Sequence, residues 1–454
     1  MTKPFAEDLL WVAQRHGQDW RDESVLAAID WLTAQVREEE WRRRIDTVDA
    51  QFQAAKAEWA LGHRVSLFDS HDAIAWYVHQ ARCYADPVHR PDFLEPEGYR
   101  IAPLFRRLGQ LLPHLGAIDG AEERAARLMT EGKSQPDDGA YELLVAGAYK
   151  ARGWERVEFV AEMPGVSKRP DFYADHGTLH WAIECKRAGR SGYARDERAA
   201  GERMAALAHE VSGAARRPVI VMARFAVELL SVPENYLAEK VERFLDSRKP
   251  YEWNDDSSRG AVVDVIWQPL LKILLTDDIY FGSSRMIQLL LGRYEPSADF
   301  SVAGDWIPAT GRPFHATAVN HLSVVTWTSM SMEAARRKAQ HFRGIIGRAS
   351  DQLPGDRPGV VHVGYEAIGG NSVDGLRHRL NAREMRRFEA KESQLRGAYG
   401  NFFMPEHVTA RNESSALSET TAWYPIWTGR AKEPLPGHLL FSDEDGNKGS
   451  HFSR

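Results

Sequence analysis

The sequence predicts an α/β core with a mixed sheet in the order αβββαβ, preceded by an all-α segment and carrying extra strands inserted after the core. Three observations predict it. Apolar residues recur at helical spacing through roughly the first 130 positions. From Arg156 onward, short β-branched runs alternate with helical stretches. Between the two regimes lies GKSQPDDG (Gly132 to Gly139), rich in the residues that punctuate chains. The expected division is a helical domain over 1–133, an α/β domain over 134–395 with a β insertion around 255–330, and a loop-rich extension over 396–454.

In the first segment Phe5, Leu9 and Val12 share a face, and Gly17 ends that short helix. Val25, Ile29, Leu32 and Val36 begin a second stripe, continued by Trp41, Ile45, Val48, Phe52, Ala55 and Trp59. With no proline inside it, this pattern predicts one long helix or two abutting ones to about Leu61. The stripe needs a cover. The expected one is the rest of the helical domain, and a second copy of the chain would make a homo-oligomer through these helices. The run Glu38-Glu39-Glu40 followed by Arg42-Arg43-Arg44 allows three acid-first i,i+4 pairs, so it reads as a solvated, self-paired face rather than a nucleic-acid patch. Ser70 is placed to cap a helix over 71–85. His63, His71, His79 and His89 lack the i,i+4 spacing of a metal-binding helix and read as surface and capping residues. Helices near 102–112 and 121–130 complete the segment.

The α/β part begins with a helix over 139–151. A strand over 156–161, a strand led by Asp171 and a strand over 180–186 follow, then a helix over 200–215 and a strand over 218–223. The passage from 186 to 218 is long enough for a crossover that pairs the two flanking strands in parallel. Apolar runs VVDVIW, MIQLLLGRY and SVVTWTSM within 261–330 read as the extra strands. A helix over 333–352 buries Ala335, Ala339, Phe342, Ile346 and Ala349, and the strand at Val360 to Val363 closes the sheet.

The chemistry concentrates in the hairpin. Side chains alternate along a strand, so Glu184 and Lys186 share a face and Cys185 takes the other. Asp171 precedes Glu184 by 13 positions with His176-Gly177 between them, a hairpin spacing that sets the two acids side by side on a site expected to be half exposed. Carboxylate oxygens suit Mg²⁺ or Mn²⁺. A lysine beside them can orient or deprotonate water and stabilise a phosphate in its transition state.

Pro170-Asp171 and Glu184-Cys185-Lys186 resemble the PD and (D/E)xK halves of the PD-(D/E)xK nuclease superfamily, the restriction-endonuclease-like fold, and the αβββαβ order is similar to its core. The resemblance covers roughly residues 138–225 and a later strand near Val360. It implies a Mg²⁺-dependent nuclease acting on DNA. It further implies Asp171, Glu184 and the backbone carbonyl of Cys185 as metal ligands, and Lys186 as the catalytic lysine. Glu142 stands where many members place an upstream helical acid; equally, it reads as an N-terminal acid favoured by the helix dipole. Lys168 and Arg169 read either as phosphate contacts or as a solvated hairpin entry. Arg336, Arg337 and Arg343, off the apolar stripe of their helix, are candidates for nucleic-acid contacts or an ordinary soluble face.

Composition bounds these readings. The net charge of −6 announces no polyanion partner, so nucleic-acid binding would rest on local patches. Two cysteines make no disulfide framework or zinc cluster and suit a reducing, cytoplasmic setting. No apolar run reaches membrane-spanning length, and the first residues lack the pattern of a secretory signal. Neither a phosphate-binding GxxxxGK[ST] loop nor a GxSxG elbow occurs. The rival readings are a nucleic-acid-binding protein or a protein-interaction scaffold that keeps the fold without cleavage.

Overall fold

The computed structural model describes residues 21–161, 169–189, 191–247, 249–292, 298–366, 371–390, 393–405, 417–426, 433–442 and 451–453. The short helix expected at Phe5 to Val12, and Lys168, lie outside these residues. The helical part comprises α1 (Glu23–Thr33), α2 (Glu38–Ala60), α3 (Ala73–Ala85), α4 (Glu95–Leu115) and α5 (Ala121–Met129). Then come α6 (Pro136–Ala151), β1 (Arg156–Phe159), β2 (Phe172–His176) and β3 (Leu179–Ala188). An inserted module follows: α7 (Gly192–Ala214), β4 (Val219–Phe225), α8 (Tyr236–Ser247), β5 (Tyr251–Asn254), β6 (Ser258–Asp264), α9 (Gln268–Leu274), β7 (Ile279–Tyr280), α10 (Ser284–Leu291), β8 (Asp299–Ala309) and β9 (Arg312–Ser329). The chain returns through α11 (Met332–Ser350), β10 (Gly359–Glu366), α12 (Asn371–Met385), β11 (Leu395–Pro405), β12 (Leu417–Pro425) and β13 (His451–Ser453). Among the described residues, no helix is long and apolar enough to cross a membrane.

The helical part is built around α3, which is buried on nearly every side. The cause is local: no charged residue occurs from Ala73 to Ala81. Asp69, not Ser70, caps its approach, accepting from the His71 amide at 2.9 Å. His79 is not a surface residue; it is buried, with Nδ1 2.8 Å from Asp49. The charged run on α2 is solvated only in part. Arg42 pairs with Glu38 at 2.5 Å as expected. Arg44 instead turns inward, donating to both Asp72 oxygens at 2.5 and 2.7 Å and to the Met129 carbonyl at 2.8 Å. The α1–α2 stripe is covered from within the chain, in part by the second sheet: Phe52 stacks on Phe314 of β9 at 6.3 Å.

Two sheets form. The first runs β1-β2-β3-β10-β11-β12-β13, and the second runs β5-β6-β4-β9-β7 with β8 on β9. This corrects the expected crossover. β4 does not pair with β3; it lies between β6 and β9 in the second sheet. The parallel partner of β3 is β10, with Glu184 opposite Val361. A crossover of adequate length permits pairing but does not select the partner. That choice falls to α11, whose Phe342, Ile346 and Ala349 pack with Ala182 of β3 and Val361 and Val363 of β10. The MIQLLL part of MIQLLLGRY, expected as a strand, belongs to α10 instead, because a short apolar run carries no period that separates helix from strand. The stretch after 395, expected to be loop-rich, adds β11, β12 and β13 to the first sheet.

One hydrophobic cluster holds residues from both sides of the Gly132–Gly139 stretch, joining Phe105, Leu108 and Leu111 of α4 to Leu143 and Leu144 of α6 and Ile183 and Cys185 of β3. Burial depresses the pKa of several histidines, among them His362, which is fully buried, and His209 and His378, which are partly buried. Burial lowers the pKa of His362 to about 3. Burial, with His321 adding to it, lowers His209 to about 4, and burial and Arg377 do the same for His378. A depressed folded pKa contributes stability that is present above the unfolded value near 6.5 and is lost as pH falls toward the folded one, at about 1.4 kcal/mol per unit per histidine. This part of the stability is therefore expected to fall as pH drops from about 6.5 to 4.5, so a metal-free His362→Gln variant should lose less melting temperature over that range than the parent does. An equal loss in parent and variant would rule His362 out as a determinant of acid stability.

Candidate functional site

The site forms where β2 and β3 part. Their ladder runs from His176–Leu179 at the turn to Phe172–Ile183, and Gly177 takes the left-handed conformation (φ +57°) that so short a connection needs. Asp171 stands one residue ahead of β2. Its amide donates to the Ile183 carbonyl at 3.0 Å, and its Oδ2 accepts from the Cys185 amide at 2.6 Å. The carboxylate thus ends the ladder beside Pro170, which has no amide hydrogen to offer.

The alternation read along β3 holds. Lys186 is ion-paired with Glu184 through Oε1, while Cys185 packs in the cluster on the α6 side. Burial pushes the Cys185 thiol well up, which suits a core residue and not a nucleophile. The expectation of a half-exposed site does not hold. Glu184 is 0% exposed, and Lys186 is the member that reaches water, at 34% of its side chain. Gln352, just beyond α11, covers Glu184; with its NH₂ turned to the carboxylate it donates to both oxygens, to Oε2 at 3.2 Å.

Glu142 lies in the middle of α6, past a first turn that holds Asp137 and Asp138, so it is not the N-terminal acid of the helix-dipole reading. Its partner is Arg124 of α5, with Nη1 at 3.0 Å from Oε2. The same guanidinium reaches Asp171, with Nη2 3.5 Å from the carbonyl and 3.9 Å from Oδ1, and lies over the Phe159 ring. Arg124 therefore joins the helical part to the hairpin.

The electrostatics follow from three acids in a dry place. Burial, then repulsion from Asp171, raises Glu184 to about 8 despite Lys186. Burial, then Asp171, raises Glu142 to about 7 against the pull of Arg124. Asp171 is raised by burial, opposed by Lys186 and the Cys185 amide. For Lys186, burial works to lower the pKa, but Glu184 and Asp171 outweigh it and the net shift is upward. Among the described residues, no three His, Cys, Asp or Glu side chains converge as a ready metal cage. Asp171 is turned to an amide, Glu142 to Arg124, and Glu184 to Lys186 and Gln352.

The arginine candidates are all paired within the chain. Arg169 donates to the Ala161 carbonyl at 3.0 Å. Arg336 pairs with Glu333 at 2.6 Å, Arg337 with Glu228 at 3.3 Å, and Arg343 with buried Glu384 at 2.9 Å. Sequence reasoning missed Arg124 and Gln352. Arg124 had a signal: it falls on the stripe of Ala121, Ala125 and Leu128, where a charge has no reason to be unless a partner waits inside. Gln352 had none.

Replacing Arg124 with Met is expected to lower stability by about 2–3 kcal/mol, because it leaves two buried carboxylates short of a counter-charge and protonation of Glu142 relieves only part of the cost. Glu142→Gln in the same background should restore part of the loss. Denaturant unfolding of the two variants measures both effects, and no loss in Arg124→Met would deny the arginine this role. No family model, curated protein or solved structure matches the chain.

Proposed function

We propose that this chain is a metal-dependent nuclease of the PD-(D/E)xK kind, hydrolysing phosphodiester bonds, with DNA as the substrate. The observation that carries the reading is the cluster itself: Asp171 and Glu184 side by side at a strand end, Lys186 on the same face and Glu142 brought in from α6. The fold supports it too. With the 192–331 module set aside as an insertion, α6-β1-β2-β3-α11-β10 has the αβββαβ order that the resemblance implies. DNA rests on the resemblance.

The donor set fits a hard divalent cation. Burial, then the neighbouring Asp171 carboxylate, raises the affinity of Glu184 for protons although Lys186 is paired with it, which marks a place where a further cation would be favoured. Asp171, Glu184 and the Cys185 carbonyl would hold Mg²⁺ or Mn²⁺, which when bound activates water and neutralises charge on a phosphoryl group. The other roles belong to the chain's own groups. Lys186, the most exposed member, meets the scissile phosphate and stabilises the charge that builds on it. Gln352 fixes the Glu184 carboxylate, and Arg124 fixes Glu142 and Asp171, so the acids are oriented before substrate arrives.

A second reading has its own observation. Because each acid is already engaged by a group of the chain, the cluster also suits a nucleic-acid-binding scaffold that no longer cleaves. Plasmid nicking separates the two. The nuclease reading expects Mg²⁺-dependent relaxation of supercoiled DNA that EDTA stops and Asp171→Asn abolishes. Binding without cleavage of DNA or RNA, in Mg²⁺ or Mn²⁺, would select the scaffold.

A further inference from the structure

A cavity of about 410 Å³ lies away from the acidic cluster, on one face of the second sheet. Strand register explains its chemistry. Asn254 of β5 lies opposite Arg259 of β6, which lies opposite Arg224 of β4, which lies opposite Thr328 of β9. These four residues form one row across four strands, all pointing to the same face and all lining the cavity. The neighbouring row, two residues along, includes Met222 and ends at Phe300 of β8, and Ile287 of α10 closes over it. The cavity is therefore two-ended, with polar and cationic groups at one end and, at the other, a mainly apolar row that also carries Thr326 and, at its outer edge, Glu252.

Arg224 opposite Arg259 is the informative pair. Like charges directly opposite on antiparallel strands destabilise a sheet, with Cβ atoms about 4.5–5.5 Å apart. Among the described residues no acid is paired with Arg259. Glu252, which also lines the cavity, stands in the other row, opposite Ala261. An anion between two guanidiniums removes the repulsion and accepts forked hydrogen bonds from both. Asn254 and Thr328 at the ends of the row add amide and hydroxyl donors. A space of this size, with an apolar end and a few convergent polar groups, falls in the range of small-ligand sites.

We propose that this cavity binds a singly phosphorylated ring compound of mononucleotide size, its phosphate between Arg224 and Arg259 and its ring against Met222, Phe300 and Ile287. Glu252 at the rim is placed to accept from an amino or hydroxyl group of the ligand. The inference does not depend on the acidic cluster. The second sheet becomes a ligand-sensing module inserted between the strands that carry the candidate active site.

The test uses the full chain, with the four nucleoside 5′-monophosphates, adenosine, inorganic phosphate and a 5′-phosphorylated single-stranded oligonucleotide as probes. At least one monophosphate should bind by calorimetry and raise the melting temperature. Adenosine and phosphate alone should bind at least about tenfold more weakly, since each fills one end. Arg259→Gln, on the exposed side of the row, should weaken the monophosphate about tenfold or more. It should leave the unliganded melt unchanged or raised, because it relieves a like-charge contact. Arg224→Gln should act in the same direction, and Arg336→Gln on α11 should change nothing. Absence of binding by all four monophosphates at millimolar concentration would overturn the proposal, and so would equal affinity in the Arg259→Gln variant. Arginine-dependent binding of the oligonucleotide alone would also overturn it, making the row a strand-binding face.

Discussion

Lys186→Ala is expected to lower Mg²⁺-stimulated DNA cleavage by at least about a hundredfold, the usual scale for losing a positioned catalytic side chain. The variant should also melt lower. Glu184 is fully buried and Lys186 is its ion-pair partner, so the substitution leaves a buried carboxylate without a cation. The cost is limited because Glu184 can take up a proton, its pKa standing already at about 8. The sign of the pH dependence follows. A carboxyl whose folded pKa is raised contributes stability that is fully present below its unfolded value, near 4.3, and is lost as pH rises through the folded value. In metal-free protein this part of the stability should decline between about pH 4.5 and 8, and in Lys186→Ala the decline should extend to higher pH. Cleavage assays and melts at pH 6 and pH 9, with and without Mg²⁺, read both effects. Undiminished cleavage by the variant would remove Lys186 from the mechanism. An identical pH dependence of the melt in parent and variant would remove the buried-carboxylate argument.

Residues 134–454 expressed alone are expected to be insoluble or molten. The expected cut near Gly132–Gly139 passes through a hydrophobic cluster shared by α4, α5, α6 and β3. Without the first segment, Leu143 and Leu144 of α6 and Phe314 of β9 lose apolar neighbours and form part of a large exposed patch. The fragment also loses Arg124, and with it the counter-charge of Glu142 and Asp171. Arg107 of α4, which donates to the Leu440 carbonyl at 2.7 Å, is a further tie between the first segment and the last. Expression, light scattering and a thermal melt decide the matter. A soluble fragment with a cooperative transition and metal-dependent cleavage would show that the chemistry stands without the helices.

What could be read along the chain was whatever depends on near neighbours. The α1 and α2 stripes follow from spacing alone, since a 3.6-residue period fixes which side chains share a face. The hairpin follows from Gly177, which brings Asp171 level with Glu184, and from strand alternation, which sets Lys186 beside Glu184 and Cys185 behind them. Tertiary packing decided everything that needed two distant segments to meet. β3 takes β10 and not β4 as its parallel neighbour because the apolar stripe of α11 lies across that pair, while β4 is enclosed by β6 and β9. Glu184 is buried because Gln352, 168 positions later, closes over it. Glu142 joins Asp171 through an arginine from a helix that sequence periodicity assigned to another domain. Alternation tells a side chain which way to face, because that is set by the backbone of the residue itself. It carries no information about what will stand opposite, because burial and charge pairing are properties of the assembled core.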